Sequence, residues 1–246
     1  MEGDTGLIID ATRKASRFLQ RDFFELESLQ SSDKATEPFC QKSCSKALQT
    51  LNESLSKYYK TIIFDNNEVA NTNFSGKALL IETLDGLGNL AKSLPFFAIM
   101  VTMIVKKGDK ISAEKSVINF PALGEIYYTE KGKGVWLERH SSNLAGALRA
   151  RVSGTSDLGR AFIATTISQI DFSRTISSNI RVFESYTYAL SLLISGKVDV
   201  MLVESRHISA QGIELFILEA AGCYYLQNGL IMASNFKLHE KIKALL

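Results

Sequence analysis

"ALLIETLDGLGNLAKSLPFF", residues 78–97, decides how this chain is read. It begins as an apolar strand over 78–84. It then sets two carboxylates, Glu82 and Asp85, three positions apart and directly before Gly86-Leu87-Gly88-Asn89. On an unbroken strand, side chains at i and i+3 point to opposite faces. A break after Glu82 would let the two acids converge. Hard cations such as Mg²⁺ prefer oxygen ligands, and the main-chain carbonyl of Leu84 could add a third to the pair. Gly86 and Gly88 let the backbone approach a ligand closely. A helix starting here would offer free N–H groups to a phosphate. Acids, cation and phosphate cradle together point to phosphoryl transfer. The plainer alternative is a strand ending in a polar turn, with both acids in water.

Upstream of this stretch the pattern is helical. Ile8, Ile9, Ala11, Ala15, Phe18, Leu19 and Phe23 recur at helical spacing between Arg13, Lys14, Arg17 and Arg21. Ala47, Leu48, Leu51 and Leu55 give a second helix over 41–59, with Pro38 near its start. Residues 61–64 read as a short strand running into the polar turn "DNNEVANTNFSG". Downstream, residues 96–119 read as two strands joined at Gly108-Asp109, and 125–139 as another pair turning at 132–134. The first half is therefore two helices followed by a largely antiparallel sheet.

The second half has α/β character. Residues 161–166 and 198–204 are strand-like. Residues 181–196 and 210–222 have helical spacing and end on glycine. The chain closes on a hairpin around Asn228-Gly229. We divide it at 150, into an α+β part (1–150) and an α/β part (151–246) of one compact unit.

Composition narrows the function classes. The chain has 246 residues, 46% of them hydrophobic and 22% charged, as in ordinary globular proteins. A net charge of +2, without a dense basic run, argues against a nucleic-acid partner. The longest apolar run, "LPFFAIMVTMIV", is 12 residues against the roughly 20 that span a bilayer, so no membrane role is expected. No secretory signal is visible, because Asp4 and Asp10 interrupt the N-terminal apolar residues. Three cysteines, Cys40, Cys44 and Cys223, fit a reducing compartment, and a cytoplasmic protein is expected. Cys40 and Cys44 would share a helix face, and no second ligand pair makes them a metal site.

The motif resembles the first motif of the inositol monophosphatase family, Asp-Pro-Ile/Leu-Asp-Gly-Thr-x-Asn-Phe. Here it stands as Glu82-Thr83-Leu84-Asp85-Gly86-Leu87-Gly88-Asn89-Leu90. "NFPALGEIYYTEKGKGVWLE" is similar to the family's segment ending in "AEKGKGAFLNG". "RVFESYTYALSLLISGKVDVMLVE" and "ISAQGIELFILEAAG" resemble later family segments, in the same order. The resemblance covers nearly the whole chain. It implies an αβαβα layered sandwich of the sugar-phosphatase type. It also implies Mg²⁺-dependent hydrolysis of a small sugar or inositol phosphate by a metal-activated water, and a homodimer.

Carried over residue by residue, the resemblance implies metal ligands at Glu82, the Leu84 carbonyl and Asp85, and phosphate-facing amides at Gly86 and Leu87. The family's water-activating Glu falls in "FDNNEV". A gapless placement puts Asn67 there and Glu68 next to it, so Glu68, or Asp65 in a remodelled loop, is the candidate ligand and base. Ser185 and Glu204 match substrate-contacting positions.

The departures are as informative. The motif threonine is Leu87, which has no hydroxyl to orient water. The C-terminal Trp-Asp becomes Ile208-Ser209, removing the second-metal carboxylate, and the neighbouring His207 suits Mg²⁺ poorly. A further family Asp falls at Cys44, and Lys34 stands near the family's early lysine. The pocket's Gly-Ser-Ala reads Glu184-Ser185-Tyr186, bulkier and more negative. Losing one charge-stabilising group commonly costs about 10²–10³ in rate. Two classes therefore stand side by side: a weak Mg²⁺ phosphomonoesterase with the second metal site lost, and a non-catalytic descendant acting as a protein-binding or structural module.

Overall fold

A computed structural model describes residues 3–28, 36–64, 69, 72–139, 146–204 and 210–246. Two sheets alternate with three layers of helix. Helices α1 (Asp4–Ser28) and α2 (Thr36–Leu55) form the first layer. Among the described residues, the first sheet has seven strands in sequence order: β1 (Ile62–Ile63), β2 (Gly76–Asp85), β3 (Ala98–Lys107), β4 (Lys110–Phe120), β5 (Glu125–Glu130), β6 (Val135–Arg139) and β7 (Leu148–Ala150). Only β1 and β2 run parallel; the remaining neighbours are antiparallel.

A short helix, α3 (Leu87–Ala91), follows β2. The second sheet comprises β8 (Phe162–Thr165), β9 (Asn179–Val182), β10 (Val200–Glu204), β11 (Cys223–Gln227) and β12 (Leu230–Ser234), in the order β11-β12-β10-β8-β9. Helices α5 (Tyr186–Ile194) and α6 (Ala210–Glu219) lie between the sheets. Helices α4 (Ile170–Ile176) and α7 (Phe236–Lys243) cover the far face. This is the αβαβα sandwich.

Strand alternation sorts the core into these layers. Leu79 and Ile81 of β2, with Ile99, Val101 and Met103 of β3, face α1 and α2. Met100, Ile118 and Phe120 face the opposite way, onto Leu190 and Leu193 of α5 and Phe216 of α6. In β10, Met201 and Val203 join that central core, while Val200 and Leu202 face α7. Each fully buried Leu, Ile or Phe contributes about 1.5–3 kcal/mol of transfer free energy, so the central layer and the layer under α1 and α2 are both major sources of stability. On α1, Ile8, Ala15, Leu19 and Leu26 keep helical spacing and are all buried.

Polar ties fix the layers. Asp22 of α1 is buried and accepts from Ser43 Oγ of α2 at 2.6 Å. The Glu219 carboxylate at the end of α6 accepts from the Gly132 and Gly134 amides at 2.6 and 2.8 Å, binding the β5–β6 turn to the helix layer. Asp4, opening α1, accepts from the Tyr59 hydroxyl at 2.8 Å and from Lys77 Nζ at 3.0 Å. Cys40 is buried in the first core and Cys44 is half-buried. Burial, with Cys40 beside it, pushes the Cys44 thiol up to about 11, which keeps it a neutral packing group.

Three sequence readings are corrected. The second helix spans Thr36–Leu55, with Pro38 in its first turn, and Tyr59 lies in the following turn. Residues 181–196 are not one helix: Arg181 and Val182 belong to edge strand β9, and the helix starts at Tyr186. The helix over 210–222 stops at Glu219, and Ala221, at φ 62°, rather than Gly222, takes the left-handed position. Elsewhere the turns fall where the glycines put them. Asn228 (φ 50°) and Gly229 (φ 79°) close the last hairpin as a pair of positive-φ residues.

The end of β2 carries the decisive irregularity. Glu82 pairs with Met100, but Asp85 pairs with Ala98. Three steps on one strand oppose two on the other, the signature of a β-bulge. The chain then turns at Gly86, with φ 87°, where an added Cβ would lie 2.5 Å from the Phe96 carbonyl oxygen. That same oxygen accepts from Asn89 Nδ2 at 2.8 Å, so it is fixed in place.

Gly86→Ala is therefore expected to lower unfolding stability by at least about 2 kcal/mol, from left-handed strain plus the carbonyl clash, as read by urea denaturation. A second expectation concerns pH. Burial alone would raise the Asp4 carboxyl, but the Lys77 and Tyr59 hydrogen bonds and the Lys77 and Lys115 charges outweigh it, and the group sits below its ordinary 3.8. A lowered acid contributes stability above the ordinary value and loses it as pH falls through the folded one. The stability gap between the native chain and Asp4→Asn should be full at neutral pH and close below about pH 4, as followed by denaturation across pH.

Candidate active site

The bulge brings Glu82 and Asp85 to one helix, the first turn of α5. Three hydrogen bonds to Asp85 fall on one oxygen, Oδ2. The Ser185 hydroxyl donates at 2.6 Å, the Thr187 amide at 2.8 Å and the Thr187 hydroxyl at 2.6 Å. Ser185 is also the N-cap of α5, its Oγ accepting from the Tyr188 amide at 3.1 Å. Asp85 thus sits at the positive end of that helix dipole. Burial pushes its carboxyl above the ordinary 3.8, and the Ser185, Thr187 and Tyr186 hydrogen bonds pull it only part of the way back.

Glu82 meets the same turn through a different donor. The Tyr186 hydroxyl donates to Glu82 Oε2. Burial first, then the charges of Glu82 and Asp85, hold the Tyr186 phenol well above its ordinary 10. It is therefore a neutral donor, and both carboxylates are close enough to act on it. Glu184, one residue before the cap, is exposed, and its carboxylate lies against the turn after Asp85. A Cβ built on Gly88 would meet both Glu184 carboxylate oxygens at 2.7 Å. The helix start is held from below by aromatic packing: the Tyr188 ring lies 4.4 Å from Phe96, 5.1 Å from Phe183 and 6.0 Å from Phe120, centroid to centroid.

The residues singled out from sequence divide into three groups. Glu82, Asp85 and Ser185 come together, with Gly86 buried and Leu87 half-buried at the start of α3. Leu84 is half-buried and packs towards the first core. Glu204 is half-buried at the end of β10, opposite Leu230. Lys34, Asp65, Asn67, Glu68, His207, Ile208 and Ser209 lie outside the described residues. Thr187 was not foreseen, because the helix was read as starting five residues too early. The cap pattern of Ser185, two residues ahead of Thr187, was the available signal.

The Mg²⁺ implied by the resemblance does not fit these residues as they are folded. Among the described residues, no group of three or more His, Cys, Asp or Glu converges to hold a metal. The Asp85 oxygen that receives three donors has its lone pairs committed. The phenol of Tyr186 stands on Glu82, where a cation bridging the pair would need space.

No family model matches the chain. It is 32% identical over 162 residues to inositol-1-monophosphatase from Caulobacter vibrioides, covering 65% of this chain and 59% of that protein. It spans, that is, about three-fifths of the length of that relative. It is 23% identical over 257 residues to Nus factor SuhB from Salmonella typhimurium, covering 98% of this chain and 93% of that one. Among solved structures, the extragenic suppressor protein suhB from Bartonella henselae superposes with a TM-score of 0.77 at 20% identity, over 98% of this chain and 97% of that chain. The motif order, the layered fold and these relatives together support a place in the inositol monophosphatase family.

Proposed function

We propose that this member of a phosphatase family works with its cleft closed, as a binding or structural module, and that any turnover of a phosphate ester is weak. One observation carries the reading: Tyr186 and Glu184 fill the space beside Glu82, Asp85 and Gly88 that a cation and a phosphate would need. The side chains that close the cleft stand where the family has Gly and Ala, and the water-orienting threonine is Leu87. A relative aligned over nearly the whole chain is named as a Nus factor rather than as an enzyme, which supports the same reading. We further propose a cytoplasmic homodimer. No described helix is long and apolar enough to cross a membrane, and the small net charge gives no support to nucleic acid as the partner.

A second reading has its own support. Relatives are named as inositol-1-monophosphatases, and the two motif acids still meet at the first turn of one helix. On that reading the chain hydrolyses a small phosphorylated polyol with Mg²⁺ held by Glu82, the Leu84 carbonyl, Asp85 and Glu68, once Tyr186 and Glu184 swing away. Phosphate release from inositol 1-phosphate with Mg²⁺ separates the two. The native chain is expected to match a Glu82→Ala, Asp85→Ala control whose circular dichroism shows it folded. A native rate clearly above that control would establish the enzyme and overturn the closed-cleft reading.

A further inference from the structure

We infer that Glu82 and Asp85 no longer form a cation site but a clasp that fastens the first sheet to helix α5, with the Tyr186 hydroxyl standing in the cation's place. The inference rests on the family reading above and goes beyond it, because it assigns the two acids a role of their own. Three features carry it.

The first is saturation. Asp85 Oδ2 takes two hydroxyl donors and one amide, all from residues 185–187. That oxygen, with three hydrogens turned towards it, has no lone pair left for a metal, and only Oδ1 could serve one if the Tyr186 hydroxyl were gone. The second is occupancy. Tyr186 donates its one O–H to Glu82, and the charges of both Glu82 and Asp85 bear on that phenol. The proton of a neutral hydroxyl therefore lies where a divalent ion between the acids would put its charge. The third is mechanical. The acids sit on the bulge at the end of β2, and the donors are the cap and first turn of a nine-residue helix whose other face builds the central core. Ser185 and Thr187 are fully buried, so the bonds between strand and helix are shielded from water.

Tyr186 is accordingly a positioning residue for Glu82 and an excluder of metal, and Thr187 is the principal fastening for Asp85.

The test uses the full chain and two readouts that do not depend on activity. Thr187→Val keeps the shape and removes the hydroxyl; Tyr186→Phe keeps the ring and removes the O–H. Each should lower Tm by about 5 °C, and the native Tm should not move when Mn²⁺ is added. In electron paramagnetic resonance, equimolar native chain should leave the free Mn²⁺ signal intact. Tyr186→Ala, which clears the space, should take up one Mn²⁺ per chain, and adding Glu82→Gln should abolish that uptake.

If Tyr186→Ala does not fold, Tyr186→Phe decides the clasp through its melting temperature. One Mn²⁺ per native chain, lost in Glu82→Gln, would overturn the inference. So would native melting temperatures for both Tyr186→Phe and Thr187→Val, or a folded Tyr186→Ala that binds no Mn²⁺. Phosphate release by the native chain bears on the functional reading instead, so the two can fail separately.

Discussion

The free N–H groups at the start of a helix need a partner, and in this chain the start of α5 finds one on a different sheet. Asp85 arrives there only because β2 gains a residue against β3 between Glu82 and Asp85, which turns two acids of opposite strand parity to the same side. Without the bulge, one of the pair would point into the apolar layer under α1 and α2, towards Leu79, Ile81 and Ile99, where burying a charge is costly. The bulge is made possible by Gly86, whose backbone conformation and lack of Cβ let the chain pass beneath the Phe96 carbonyl. From there the order of contacts follows. The acids fix the first turn of α5, the Tyr188 ring beside it locks into Phe96, Phe183 and Phe120, and the remaining turns fill the space between the sheets.

This arrangement separates ancestry from chemistry. The layered fold is that of solved suhB-type structures, and the motif position is shared with named inositol-1-monophosphatases. At that motif, Glu82 and Asp85 accept hydrogen bonds from residues 185–187. A carboxylate pair is costly to bury without compensation. A cation could have met that cost; here hydroxyl and amide donors from a neighbouring helix meet it. The same two positions can thus stay acidic while the reason for their acidity changes.

Much of the fold was legible in the sequence. The hairpins were, because Gly108-Asp109 and Asn228-Gly229 sit between strands of matching length. The layers were legible through the family resemblance, and the continuous apolar runs of β2, β3 and β10 fit strands covered on both faces. What escaped has physical reasons. Strand β9 is an edge strand of four residues, its Arg181 and Val182 exposed, so no alternation marks it, and its neighbours were absorbed into the helix that follows. The start of α5 was obscured for the same cause, and with it the role of Thr187. The convergence of Glu82 and Asp85 was stated only as a condition on a strand break, because a bulge is a relation between two strands and leaves no trace in one. That the Tyr186 phenol would reach Glu82 could not be read from a substitution that, by itself, announced only bulk.

Glu184 and Gly88 raise a matter of sequence history. The carboxylate at 184 rests where any side chain at 88 would begin, so the two positions are not free to vary independently. A larger residue at 88 has to push aside the flexible, exposed end of Glu184 unless 184 has been shortened first, whereas 184 can be shortened with nothing changed at 88. The less obstructed order of change therefore starts on the helix side.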